Sequence, residues 1–264
     1  MKKIKQNIGN RGQTTLFIII AIMLIAGIIL FFIFLRKPNN KESDRTFEFT
    51  NPNSYIQKCV KDSVQEAVGI MLPQGGYLTT KDKISIMYDN INRSYLCYTL
   101  NNYRPCVNQD PMYLTSLKNE ILTYIKPKIN NCFDKLKQNL ENENYEINMG
   151  EMAVDVELFP GEIRVNLNRD FLMKKGKEAK KFENFDTKVS SRLYDLGIVA
   201  QEIASQEAEF CNFETQGYMM FYPDFDINKK IQGRDIQIYL IKHKKTNEEL
   251  VFAIKSCSSA VGFG

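Results

Sequence analysis

The chain has 264 residues, six cysteines and a formal charge of +4. Lys2, Lys3, Lys5 and Arg11 supply that whole surplus, so everything after the leader is formally neutral. A neutral domain has no basic excess with which to displace counterions from phosphates, which argues against nucleic acid as a partner. The local basic patches, Lys174-Lys175-Gly176-Lys177 through Lys181 and Lys242-His243-Lys244-Lys245, read as solvated loop or hairpin charge.

The first element in chain order is Leu16–Leu35, twenty uncharged residues of which sixteen are Leu, Ile or Phe. Each such residue favours insertion, and the sum is on the order of −5 to −10 kcal/mol. At helical rise the run matches a hydrocarbon core about 30 Å thick. It is apolar all round, unlike a core helix with a polar stripe. It is also longer than a cleaved secretory signal, and Leu35-Arg36-Lys37-Pro38-Asn39-Asn40 offers no small-residue cleavage site. The purely basic leader predicts a cytoplasmic N-terminus and a C-terminal domain outside. The expected division is a leader over 1–12, a transmembrane helix over 13–36, a polar tether over 37–52 and an extracytoplasmic domain over 53–264, with a sub-boundary near 141–150.

Within the outer part, Asn53 or Ser54 caps a helix whose inward face is Ile56, Val60, Val64, Ala67 and Met71. Pro73-Gln74-Gly75-Gly76 stops it. Short extended pieces follow at Ile84–Tyr88 and Tyr95–Thr99, with loops at Arg104-Pro105-Cys106 and Asp110-Pro111. A second helix over Leu114–Leu140 turns Leu117, Ile121, Ile125, Ile129, Phe133 and Leu136 inward, and Pro127 is expected to kink or divide it. The period then changes. Val154, Val156 and Leu158 alternate up to a Phe159-Pro160-Gly161-Glu162 turn, and Ile163, Val165 and Leu167 alternate on the return, a β-hairpin signal. A third helix covers Ser190–Glu209 with Leu193, Leu196, Ala200, Ile203 and Ala204 inward. Beyond Cys211 come Tyr218–Tyr222, then Asp235–Lys242 and Glu249–Ser256 joined by a Lys-Thr-Asn turn. Antiparallel hairpins packed with about three helices define an α+β domain.

All six cysteines follow the apolar run, as in a disulfide framework outside the cytosol. Sequence alone leaves fifteen complete pairings open. The first-ranked one joins Cys97 to Cys106 as a local closure, Cys59 to Cys132 between two helices, and Cys211 to Cys257 across the C-terminal part. With no CxxC and one histidine, no metal site is expected.

Three features bear on function. The leader, Lys-Lys-x-Lys through Arg11-Gly12-Gln13 before the long apolar run, resembles the class III (prepilin-type) signal of archaeal type IV pilin-like proteins. The resemblance covers about 35 residues and implies cleavage after Gly12, leaving Gln13 first. The sequence departs from pilins at Phe17, where they usually carry Glu, and at Arg36–Asn40, which interrupts the outward helix. Over more of its length, Tyr55-Ile56-x-x-Cys59, a helix running into Gln74-Gly75-Gly76-Tyr77, and Cys132 are similar to an uncharacterised group of archaeal membrane-anchored proteins, which implies an architecture and no activity.

Gln74-Gly75-Gly76-Tyr77 reads either as a binding loop or as a helix stop with a packed tyrosine. Thirteen tyrosines, with Tyr88, Tyr95, Tyr98, Tyr103 and Tyr113 in one stretch, suit sugar or peptide recognition and equally suit a core with hydroxyls at its edge. Asn92-Arg93-Ser94 is an N-glycosylation acceptor pattern. For catalysis the inventory is poor: His243 stands in a lysine-rich turn, Asp224 and Asp226 do not extend into a calcium loop, and no phosphate-binding fingerprint occurs. No cofactor is expected. The expected function is a membrane-tethered extracytoplasmic binding or structural module, held by the lipid bilayer and facing a surface or protein ligand. The alternatives are a pilin-like subunit and a carboxylate-based envelope hydrolase.

Overall fold

The computed structural model describes residues 20–27, 51–101 and 104–257. Residues 20–27 are helical with exposed side chains, and the rest of the apolar run, together with Gly12, Gln13 and Tyr103, lies outside the described residues. Among the described residues no helix is long and apolar enough to cross a membrane.

The first helix of the folded domain, α1 (Pro52–Met71), starts earlier than its sequence signals suggested. Asn51, not Asn53 or Ser54, is the cap, its side chain accepting from the Ser54 N–H. Pro52 occupies the first turn, where its fixed φ is preorganised and its missing N–H has no partner to lose. Pro52, which the sequence reading assigns to the tether, belongs to the helix. Ile56, Val60, Val64, Ala67 and Met71 form the buried stripe that the 3.6-residue period required.

A short 3-10 turn (Leu72–Gln74) tightens the end of α1, and Gly75 follows in the left-handed region at φ 74°. The Gly76 N–H bonds back to the Met71 carbonyl at 2.9 Å, closing a Schellman-type stop. Gly76 itself sits at φ 88°, and a Cβ there would run into the Tyr113 ring and Leu117. Both conformation and space admit glycine alone.

Helix α2 (Tyr113–Asn142) carries Leu117, Ile121, Ile125, Ile129, Phe133, Leu136 and Leu140 on one buried face. Pro127 does not divide it. The proline lies on the exposed side, so the missing backbone bond faces water while the buried stripe continues beneath it. The Cys59–Cys132 bridge and a Lys128–Glu66 ion pair fasten this stretch to α1.

Two sheets complete the α+β domain. The mixed sheet runs β1 (Ser85–Tyr88), β2 (Ile91–Tyr98), β10 (Glu249–Lys255), β9 (Ile236–His243), β8 (Phe225–Gln232), with β3 (Val107–Asn108) also on β2. Its β2–β10 pair is parallel and the other pairs are antiparallel. The second sheet is antiparallel, with β5 (Glu162–Lys175) between β4 (Glu146–Phe159) on one side and β6 (Glu178–Asn184) and β7 (Thr187–Ser190) on the other. The expected hairpin is its centre: Val154 faces Leu167, Val156 faces Val165 and Leu158 faces Ile163 across the Pro160-Gly161 turn. The lysine run at 174–181 forms the β5–β6 hairpin.

Helix α3 (Leu193–Phe210) and a short α4 (Thr215–Phe221) close the element list of the domain. Tyr218–Tyr222 thus falls mainly on a helix, with Tyr218 and Met219 packed on the core while Met220 and Phe221 face outward. One core extends from Ile56 through Phe133, Phe171 and Leu196 to Ile254. Residues 141–150 lead directly from α2 into β4, both of which pack on that core.

Replacing Gly76 by alanine is expected to destabilise the domain by about 3 kcal/mol, since left-handed strain adds to overlap with fully buried neighbours. Gly176→Ala is the matched control: φ is also positive, at 61°, but the space is open, so about 1 kcal/mol is expected. Urea denaturation of the two variants measures the difference.

Candidate functional site

The structure joins Cys59 to Cys132, Cys97 to Cys106 and Cys211 to Cys257, the three pairs ranked first from sequence. Their Cα–Cα separations are 6.6, 5.4 and 5.5 Å. Each closes a different kind of loop. The first pins α1 to α2 over 73 residues, the second closes the turn after β2 over 9, and the third ties the end of α3 to the end of β10 over 46. On chain-entropy grounds they restrict the unfolded chain by about 4, 2.5 and 4 kcal/mol respectively.

The Cys59–Cys132 bridge lines a groove of about 650 Å³ between α1 and α2. Tyr55, Lys58, Asp62, Glu66, Lys128 and Lys135 present mixed charge there. The Lys128 ammonium donates to Glu66 Oε2 at 2.6 Å and stands 4.4 Å from the centre of the Tyr124 ring. Hydrogen bonding from Lys128 holds the Glu66 carboxyl below the usual carboxylate range. Asp62 and Glu66, one helical turn apart, are the acids that the groove brings together.

The glycine-rich loop faces inward. Gly75, Gly76 and Tyr77 are buried, and the Tyr77 hydroxyl donates to Asp110 Oδ2 at 2.7 Å. Gln74 donates to the Ile70 carbonyl at 3.1 Å, and the Tyr113 hydroxyl donates to the Gly75 carbonyl at 2.9 Å. Its polar groups are engaged in holding the helix stop. Asn92 is exposed at the start of β2, beside the two-residue Asp89-Asn90 turn, whose residues both have positive φ. Ser94 of the same acceptor pattern is fully buried.

His243 is not in the exposed turn that its lysine neighbours implied. It ends β9, is 3% exposed, and its Nδ1 accepts from the Thr246 N–H at 3.3 Å while Phe225 packs edge-on against the ring. The alternation of β9 puts the imidazole on the buried side and Lys242 and Lys244 toward solvent. Among the described residues, no group of three or more His, Cys, Asp or Glu side chains is placed to hold a metal ion.

The polar centre that sequence reasoning missed is Glu207 on α3. It is 0% exposed. Its Oε1 accepts from the Tyr239 hydroxyl and from Lys229 Nζ, the latter at 3.0 Å, while Oε2 is buried with no partner among the described residues. Lys229 Nζ also donates to Asn212 Oδ1 at 3.2 Å. Burial, with the Glu207 charge beside it, pushes the Tyr239 hydroxyl far above the normal tyrosine range. The fold makes this meeting necessary: Lys229 and Tyr239 are paired across β8 and β9 and share the face that α3 covers. A signal existed. Glu207 lies four residues after Ile203 on the inward stripe, so the helical period alone placed a carboxylate in the core.

No family model matches the chain, and neither a curated protein nor a solved structure is similar enough to lend it a function.

Tyr239→Phe keeps the buried ring stacked on Phe252 but removes one donor to Glu207. Hydrogen bonds to charged groups contribute about 1.5–3 kcal/mol, and a loss of that size is expected in the urea midpoint. A neutral result would mean that water replaces the hydroxyl.

Proposed function

We propose that the chain is a membrane-tethered extracytoplasmic binding module, anchored by Leu16–Leu35 and contacting its ligand through the groove between α1 and α2. The observation that carries the reading is the pairing of all six cysteines, every one of them on the C-terminal side of the apolar run. Complete pairing is the habit of domains in oxidising surroundings. Twenty uncharged residues long enough to span a bilayer supply the anchor, and the basic leader favours the orientation. The resemblance of the sequence to a group of archaeal membrane-anchored proteins points the same way.

Binding fits the groove better than hydrolysis does. A glycosidase-like or aspartic mechanism needs a carboxyl that stays protonated near its working pH. Lys128 pulls Glu66 the other way, toward the ionised form. Mixed lysines and carboxylates flanked by Tyr55 suit a polar, charge-bearing surface ligand.

A second reading, a type IV pilin-like subunit, rests on Arg11-Gly12-Gln13 directly before the apolar run. It differs in one observable: processing after Gly12 gives a mature chain beginning at Gln13.

The expected outcome for the full chain is recovery in the membrane fraction, resistance to carbonate extraction, and release by detergent. After reduction, a membrane-impermeant thiol reagent applied to intact cells is expected to label the cysteines. Disulfide-rich cytosolic proteins exist, so labelling only after lysis would overturn the orientation, and recovery as soluble protein would overturn the anchor. N-terminal mass spectrometry of the same material decides between an intact leader and the pilin-like reading.

A further inference from the structure

Lys229, Asn212 and Glu207 form an arrangement with a chemistry of its own. An amine, a carboxamide and a carboxylate converge at hydrogen-bond distance: Nζ to Oε1 is 3.0 Å and Nζ to Oδ1 is 3.2 Å. We propose that Lys229 and Asn212 condense to an intramolecular isopeptide bond, with Glu207 moving the proton.

Each requirement of that reaction has a residue to meet it. The amine must lose a proton before it can attack, and the fully buried Glu207 carboxylate lies in contact with it. Passing a proton from Lys229 to Glu207 frees the lone pair on Nζ that attack requires. The neutral amine then has only to pass from the carboxamide oxygen to the adjoining Cγ. Attack forms the Nζ–Cγ bond. Glu207 returns the proton to the amide nitrogen, the Cγ–Nδ2 bond breaks, and ammonia leaves with the proton lost from Nζ, as ammonium. Atoms and charge balance without any oxidant, nucleotide or metal.

The surroundings favour both attack and release. Only 21% of the Lys229 side chain is exposed, and its ammonium stands 5.4 Å from the Tyr239 ring centre, so few other positions are open to it. Asn212 is exposed, which gives ammonia a way out. Its backbone follows Cys211, held in the left-handed region at φ 55° and bonded to Cys257. The carboxamide is thus presented by a cross-linked helix end. Oε2 of Glu207, which has no partner among the described residues, is the position from which a carboxyl proton can be offered.

The bond would close the segment between Asn212 and Lys229, which contains α4, alongside the Cys211–Cys257 bridge. Unlike that bridge, it would survive reduction.

The test is peptide mass spectrometry of the full-length, detergent-solubilised chain after reduction and proteolysis. A branched peptide joining the segments that carry Asn212 and Lys229, lighter than their sum by about 17 Da for one ammonia, is expected to replace the two linear peptides. Asn212→Ala, a change at an exposed side chain, is expected to restore both linear peptides. Glu207→Gln is expected to lose the branch while retaining Lys229 and Asn212. Recovery of the linear peptides from the folded natural chain would overturn the proposal. A loss of ammonia without a branch, as in cyclisation at Asn212, would also overturn it. A branch that persists in Glu207→Gln would remove Glu207 from the mechanism. Should Glu207→Gln fail to fold, the natural chain and Asn212→Ala still decide whether the bond exists.

Discussion

The buried stripe of α2 joins the two halves of this domain. Leu117, Ile121, Ile125, Ile129, Phe133, Leu136 and Leu140 lose all contact with water on one face of a single helix. That face meets α1, β4 and α3, so the mixed sheet and the antiparallel sheet depend on the same column of side chains. Each fully buried residue of this kind stabilises by about 1.5–3 kcal/mol. Phe133 shows how the column reaches outward: its ring packs edge-on against Phe185 at 5.1 Å and tilted against Phe171 at 6.1 Å. A break in the helix would separate the layers, which explains why Pro127 stands on the side where the missing bond is solvated.

What could be read from the chain follows from this dependence. Elements that bury one face advertise it with a period, and α1, α2, α3 and the β4–β5 hairpin were legible with their inward residues. An edge strand with both faces solvated carries no such period. β6, Glu-Ala-Lys-Lys-Phe-Glu-Asn, has mainly exposed side chains on both faces, and lysines on an edge discourage pairing with other chains. β8 is also an edge, where Lys229 and Lys230 interrupt the alternation. Lys229 turns inward because an acid waits beneath it. A local window reads that lysine as a surface residue, since its partner is on a helix 22 residues earlier.

The same blindness governed the candidate sites. Two glycines and a tyrosine signalled a special backbone, and the backbone is special, but it faces the protein: Gly75 lies against Ser94 and Phe252, and Gly76 against Tyr113. The lysines beside His243 point to an exposed turn, although a strand alternates and a neighbour's exposure there predicts burial. Cysteine ranking succeeded for a physical reason. Short sequence separation favours Cys97–Cys106, and two cysteines on helices flanking one core favour Cys59–Cys132, which leaves the last pair determined.

Stability alone does not account for Glu207. An ion pair inside a protein is often no better than a hydrophobic replacement, because desolvation of both charges offsets their attraction. Here Lys229 is also partly exposed, so its charge keeps some of its hydration. The carboxylate is in contact with an amine that also touches a carboxamide, next to a helix end fixed by a disulfide. On a domain already braced by three cross-links, a proton carrier placed to form a fourth is the use that this geometry fits.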